Sequence, residues 1–87
     1  MRTFFYMGRN AATRSGVSWK IWRIERRGRT VTTWWGPATL VKRRVVPTHG
    51  LRSKKKQFAS GDAAARHEQA RIQNKRGKGY ESRPRAR

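Results

Sequence analysis

Between Trp19 and Pro37 the chain reads WKIWRIERRGRTVTTWWGP, two runs of tryptophan, β-branched residues and arginine on either side of Gly28. Such side chains suit a pleated, half-buried surface, and a glycine supplies the backbone freedom of a tight turn. The stretch therefore predicts a β-hairpin. All four tryptophans lie within it, so a core must be built on it. With Arg27-Gly28 as the turn residues, counting outward sets Ile24 opposite Val31, Trp22 opposite Thr33 and Lys20 opposite Trp35 on one surface. Ile21 then faces Trp34, and Arg23 faces Thr32, on the other. Cross-strand pairs of this kind contribute roughly 0.2–1 kcal/mol each. One surface can make a core, and the other mixes aromatic rings with cations.

The flanking segments extend the sheet. Arg2 to Arg9, with Phe4, Phe5, Tyr6 and Met7, reads as a first strand, and Asn10 to Ser18 as a loop. Gly36-Pro37 should interrupt the ladder, because proline donates no ladder hydrogen bond. Thr39 to Val46 predicts a further strand with a basic centre, Pro47 to Gly50 a turn, and Leu51 to Phe58 another strand. Ser60 is a good N-cap for a helix from about Gly61 to Lys75. Asp62 suits its positive end, and Lys75 and Arg76 suit its negative end. The apolar side of that helix is narrow: Ala64, Ala65 and Ile72. Small residues let it lie close on a sheet. The expected fold is α+β, a small twisted antiparallel sheet with one helix packed across one face. It forms a single domain over 1–80, and 81–87 reads as a disordered basic tail.

Charge narrows the function. Twenty-three Lys and Arg against four Asp and Glu give +19 on 87 residues. A cation density of this order repels itself and calls for a polyanion, and nucleic acid is the expected partner because phosphate contacts release condensed counterions. No apolar run approaches the ~20 residues of a membrane span, and the patch Phe4 to Met7 is too short for a signal-peptide core. An intracellular location is expected, with no membrane partner. Glu25, Asp62, Glu68 and Glu81 form no acid–base pair in sequence, and without cysteine the two histidines cannot make up a zinc site. His49 and His67 read as surface or packing residues. No catalytic residue, metal or cofactor is expected.

Trp22 alternates with Ile24 and should fill the sheet–helix core, whereas Trp19 and Trp34 should be half exposed. Trp35 precedes Gly36-Pro37 and should sit at a strand end within reach of a ligand; an exposed indole beside arginines can stack on a base or ribose. The candidate nucleic-acid-binding residues are Trp34, Trp35, Arg23, Lys42, Arg43, Arg44, Arg52, Lys54, Lys55 and Lys56. The last seven fall on neighbouring strands and could form one basic patch. Arg83, Arg85 and Arg87 would steer rather than recognise.

Read in order, these pieces resemble the WGR domain, a small module of poly(ADP-ribose) polymerases and of many bacterial proteins. Trp22-Arg23-Ile24-Glu25 matches its aromatic-x-Ile-Glu strand, Gly28 its glycine turn, and Trp35-Gly36 the start of Trp-Gly-Arg. Phe58-Ala59-Ser60 matches the aromatic-x-Ser before its helix, Ala63 to Ala65 the early helical alanines, and Lys75 to Tyr80 its closing Lys-x-x-Lys-Gly-Tyr. The resemblance covers roughly Val17 to Tyr80. It implies an antiparallel sheet with one helix and DNA binding in which the motif tryptophan, here Trp35, packs against a sugar near a DNA end. Pro37 replaces the family's arginine, so that residue's contacts have no counterpart here. No catalytic activity is expected of these 87 residues, which would bind without catalysis. Two other classes fit the composition: a protein-interaction module, and an RNA-packing structural protein.

Overall fold

The computed structural model describes residues 1–9 and 16–83. The loop expected over 10–18 therefore lies largely outside the described residues, as does the end of the tail. Five strands, β1 (Arg2–Arg9), β2 (Val17–Arg27), β3 (Thr30–Val41), β4 (Arg44–Pro47) and β5 (Arg52–Gln57), precede one helix, α1 (Gly61–Gly77). All pairings are antiparallel, in the order β1-β2-β3-β4, with β5 also on β3. The α+β architecture is as expected.

The register of the central hairpin differs from expectation. Its turn residues are Gly28 and Arg29, with Gly28 at φ 58°, so Arg27 pairs with Thr30 and Trp22 sits opposite Trp35. Glycine in the first turn position gives the primed geometry that matches strand twist. The expected pairing is shifted by two residues, and a two-residue shift leaves every side chain on its predicted face.

Gly36-Pro37 does not end β3, which runs on to Val41. The Pro37 carbonyl accepts from Thr48 N–H (3.1 Å) and Thr48 Oγ1 (3.2 Å). In an extended strand a residue's nitrogen and carbonyl point the same way, so the missing N–H of Pro37 faces the Thr48 side and the ladder to β2 loses nothing. On that side β4 pairs as far as Ala38 with Pro47, and β5 begins at Trp35 with Arg52. Thr48 to Leu51 thus lie opposite only Gly36-Pro37. Strands β3, β4 and β5 form one long hairpin carrying a bulge of two extra residues. Leu51 seats over Gly36, where an added Cβ would come within 3.1 Å of its Cδ2.

The strand expected over Thr39 to Val46 is instead the far end of this hairpin. It is folded at Lys42 (φ 49°) and Arg43 (φ 68°), both left-handed. Two consecutive left-handed residues make a type I′ turn, normally the province of Asn-Gly. Without Gly, Asn or Asp, the turn gave no signal.

Two clusters fill the two sides of the sheet. On the helix side Phe4, Trp22, Ile24, Val31, Ala64 and Ile72 are buried, bracketed by Phe58 and Tyr80 from just before and just after α1. Ser60 caps the helix by accepting from Ala63 N–H (3.1 Å), and Arg26 reaches Glu68 (3.3 Å) to tie β2 to it. On the other side Trp19, Ile21, Ala38 and Val45 pack with Phe5, Met7 and Leu51. Trp19 is accordingly buried rather than half exposed, because β4 curls toward it. The chain remains ordered past Tyr80: Glu81 exchanges two backbone hydrogen bonds with Phe5 (2.8 and 2.9 Å), one residue into the expected tail.

Candidate nucleic-acid interface

The pleat divides the candidate residues. Trp34 and Trp35, adjacent on β3, point to opposite faces of the sheet and cannot serve one site. Trp35, Arg52, Lys54 and Lys56 share the helix face. Trp34, Arg23 and Lys55 lie on the other, where Trp34 lines a cleft with Glu25, Arg27 and Lys55. Lys42, Arg43 and Arg44 stand at the hairpin end. Arg44 lies opposite Val41 and Lys54 opposite Thr33, roughly 26 Å apart along the strand at ~3.3 Å per residue. The expected single patch is therefore three separate groups.

The helix-face group is completed by residues the sequence did not single out. An open basin of about 690 Å³ has Trp35 on its wall with Lys20, Arg52, Lys75, Tyr80 and His49. Trp35 is 37% exposed. A smaller cleft of about 190 Å³ opens on the same face among Thr33, Lys54, Lys56, His67 and Arg71. Together they describe a trough between β5 and α1. One bank carries Arg52, Lys54 and Lys56 at alternate strand positions, roughly 6.6 Å apart. The other carries Arg71 and Lys75, one helical turn apart, roughly 6 Å. These pitches nearly match, so both rows of cations can follow one chain of phosphates past the indole. The hint in the sequence was the i, i+4 placement of Arg71 and Lys75 on the side of Ile72.

The trough's field shows in its titrating groups. Burial first, then Arg71, Lys78 and Lys20, holds the Lys75 pKa below its ordinary 10.5. Its ammonium sits 5.0 Å from the Tyr80 ring centroid and 5.6 Å from that of Trp22, so aromatic faces replace part of its lost water. His67 stacks on Phe58 with centroids 4.7 Å apart. Burial first, then Lys56, Arg71 and Lys54, lowers its pKa from 6.5. The unfolded chain thus takes up this proton at higher pH than the folded one, so stability falls as pH drops through 6.5 and levels off below the folded-state value. Urea titrations from about pH 5 to 8 should show that limb flattened in His67→Gln; an unchanged limb would assign it to other groups.

Among the described residues no group of three or more His, Asp or Glu side chains could hold a metal ion, and no helix is long and apolar enough to cross a membrane. Compared with family models, curated proteins and solved structures, the chain has no significant match among them.

Proposed function

We propose that this protein is a non-catalytic nucleic-acid-binding module that holds a DNA backbone in the β5–α1 trough and stacks Trp35 on a sugar or base at an end or nick. The observation that carries this reading is the exposed indole set among Lys20, Arg52 and Lys75 at one end of a doubly cationic trough. A base at an end or nick has one free face, which a ring at a trough wall can cover, whereas an intact stack offers none. The resemblance to WGR domains supports the same assignment, since the family's motif tryptophan falls on Trp35. Trp34 and Arg23 do not enter the site, because the pleat turns them away from it.

The test is fluorescence anisotropy of labelled blunt duplex, nicked duplex, single-stranded DNA and RNA over a salt series. Salt-sensitive binding favouring ends or nicks supports the proposal. Equal affinity for all four reduces it to polycation attraction, and binding insensitive to salt removes it. The triple change R52Q/K54Q/K56Q should lower the log–log salt slope on duplex by about 2.7, at about 0.9 for each phosphate no longer neutralised. K55Q, on the far face, should leave it almost unchanged. Equal effects from the two would move the interface off the trough.

A further inference from the structure

The far end of the long hairpin is built unlike the rest of the molecule. Leu40 and Val41 are 47% and 48% exposed, in a chain whose other aliphatic side chains in β2 and β3 are largely buried. As neighbours on a strand they project from opposite faces of the ribbon, so apolar surface flanks the tip on both sides. Lys42, Arg43 and Arg44 follow at once, all exposed, and no acid lies in the tip. The ladder of β3 to β2 ends at Ala38, so from Thr39 outward the ladder is that of β3 with β4. Lys42 and Arg43 occupy the two left-handed turn positions, where glycine or asparagine would sit without strain. Strain retained in favour of two cations points to a use for them.

Resting on the reading above, we propose that this tip is a wedge that enters the minor groove of duplex DNA, with Lys42 and Arg43 on the flanking phosphates and Leu40 or Val41 pressed between base pairs. Proteins that open and kink that groove insert apolar side chains between base steps while cations hold the phosphates, and the cations flanking this apolar tip commit it to a polyanion. Val41 lies six residues from Trp35, roughly 20 Å along the strand. With Trp35 at a nick, the wedge meets the duplex about six base pairs inside it, at a rise of ~3.4 Å per pair.

A nicked duplex carrying end-to-end resonance-energy-transfer dyes, with 2-aminopurine placed in turn at each pair from four to eight inside the nick, tests this. The wild-type chain should shorten the end-to-end distance and raise 2-aminopurine fluorescence severalfold near the sixth pair. L40S/V41S should abolish both signals and keep the salt slope. K42Q/R43Q should instead lower the slope by about two. K42N/R43G, which suits the turn, should melt higher than wild type and yet bind more weakly. Wild-type binding with neither kink nor fluorescence change would overturn the wedge and leave the trough standing, as would L40S/V41S signals equal to wild type. Absence of wild-type binding to any duplex would overturn both.

Discussion

Replacing Trp35 with alanine is expected to lower affinity for nicked or blunt duplex by about ten- to a hundredfold while leaving the fold in place. Stacking a base on an aromatic ring is worth roughly 1–3 kcal/mol by alanine substitution, and about 1.4 kcal/mol is a factor of ten. The ring is 37% exposed and belongs to neither buried cluster, so its removal opens no cavity. Affinity for internal duplex should fall far less, because the backbone cations remain. Trp34→Ala is the control: it changes the same residue type one position away, on the opposite face, and should alter neither affinity. Anisotropy with both substrates, alongside thermal melts, decides the matter. Equal loss on nicked and intact duplex would deny Trp35 a stacking role.

The opposite pattern is expected at Trp22, where alanine should cost about 3–5 kcal/mol of stability. Total stability for a domain of this size lies near the lower end of roughly 5–15 kcal/mol, so the variant should be largely unfolded at about 37 °C. Trp22 is 1% exposed, and its ring lies 5.6 Å from that of Phe4 and under the Lys75 ammonium. It joins β1, β2 and α1, and α1 brings only Ala64 and Ile72 to the buried cluster. Such a thin helix face cannot collapse into the hole. Urea unfolding followed by circular dichroism measures this directly. A loss below about 1 kcal/mol would mean that the core is centred elsewhere.

The face of each tryptophan was legible in the sequence because face follows from parity alone, and on that shared face the alternation of Trp22 with Ile24, against Trp35 beside Gly36-Pro37, separated the two roles. Trp22 and Trp35 sit on the helix face whether the turn is Arg27-Gly28 or Gly28-Arg29, so the sorting of core from surface survived an error in register. The helix was equally legible, since Ser60, Asp62 and the alanines act through local backbone chemistry. What the sequence concealed was set by contacts between distant segments. Trp19 is buried because Val45 and Met7 reach it, and neither neighbour is near it in sequence. Pro37 passes inside a strand because its nitrogen happens to face the bulge. Lys42 and Arg43 turn the chain without any turn-forming residue. The partition of Lys54, Lys55 and Lys56 needed the pairing of β5 with β3, and the second bank of the trough needed the seating of α1.

The bulge at Thr48 to Leu51 also bears on how the chain reaches this state. A hairpin zips outward from its turn, and the β3–β4 ladder closes quickly because its contacts are local. At Pro47 the growing strand meets a choice. Pairing straight on, without the two extra residues, would offset β5 by two positions and still leave its lysines on their proper faces, so hydrophobic sorting does not correct the slip. The seating of Leu51 over Gly36, the bond from Phe58 N–H to the Arg29 carbonyl (2.8 Å) and that from Thr33 Oγ1 to the Lys54 carbonyl (3.4 Å) favour the native alignment, whereas the bonds from Thr48 to Pro37 fit both. Leu51→Ala should therefore add a second, slower refolding phase in stopped-flow tryptophan fluorescence, whereas single-phase recovery would show that α1 selects the alignment. The four residues of the bulge act as a frame marker, and their sequence governs how faithfully the chain folds as much as how stable it is.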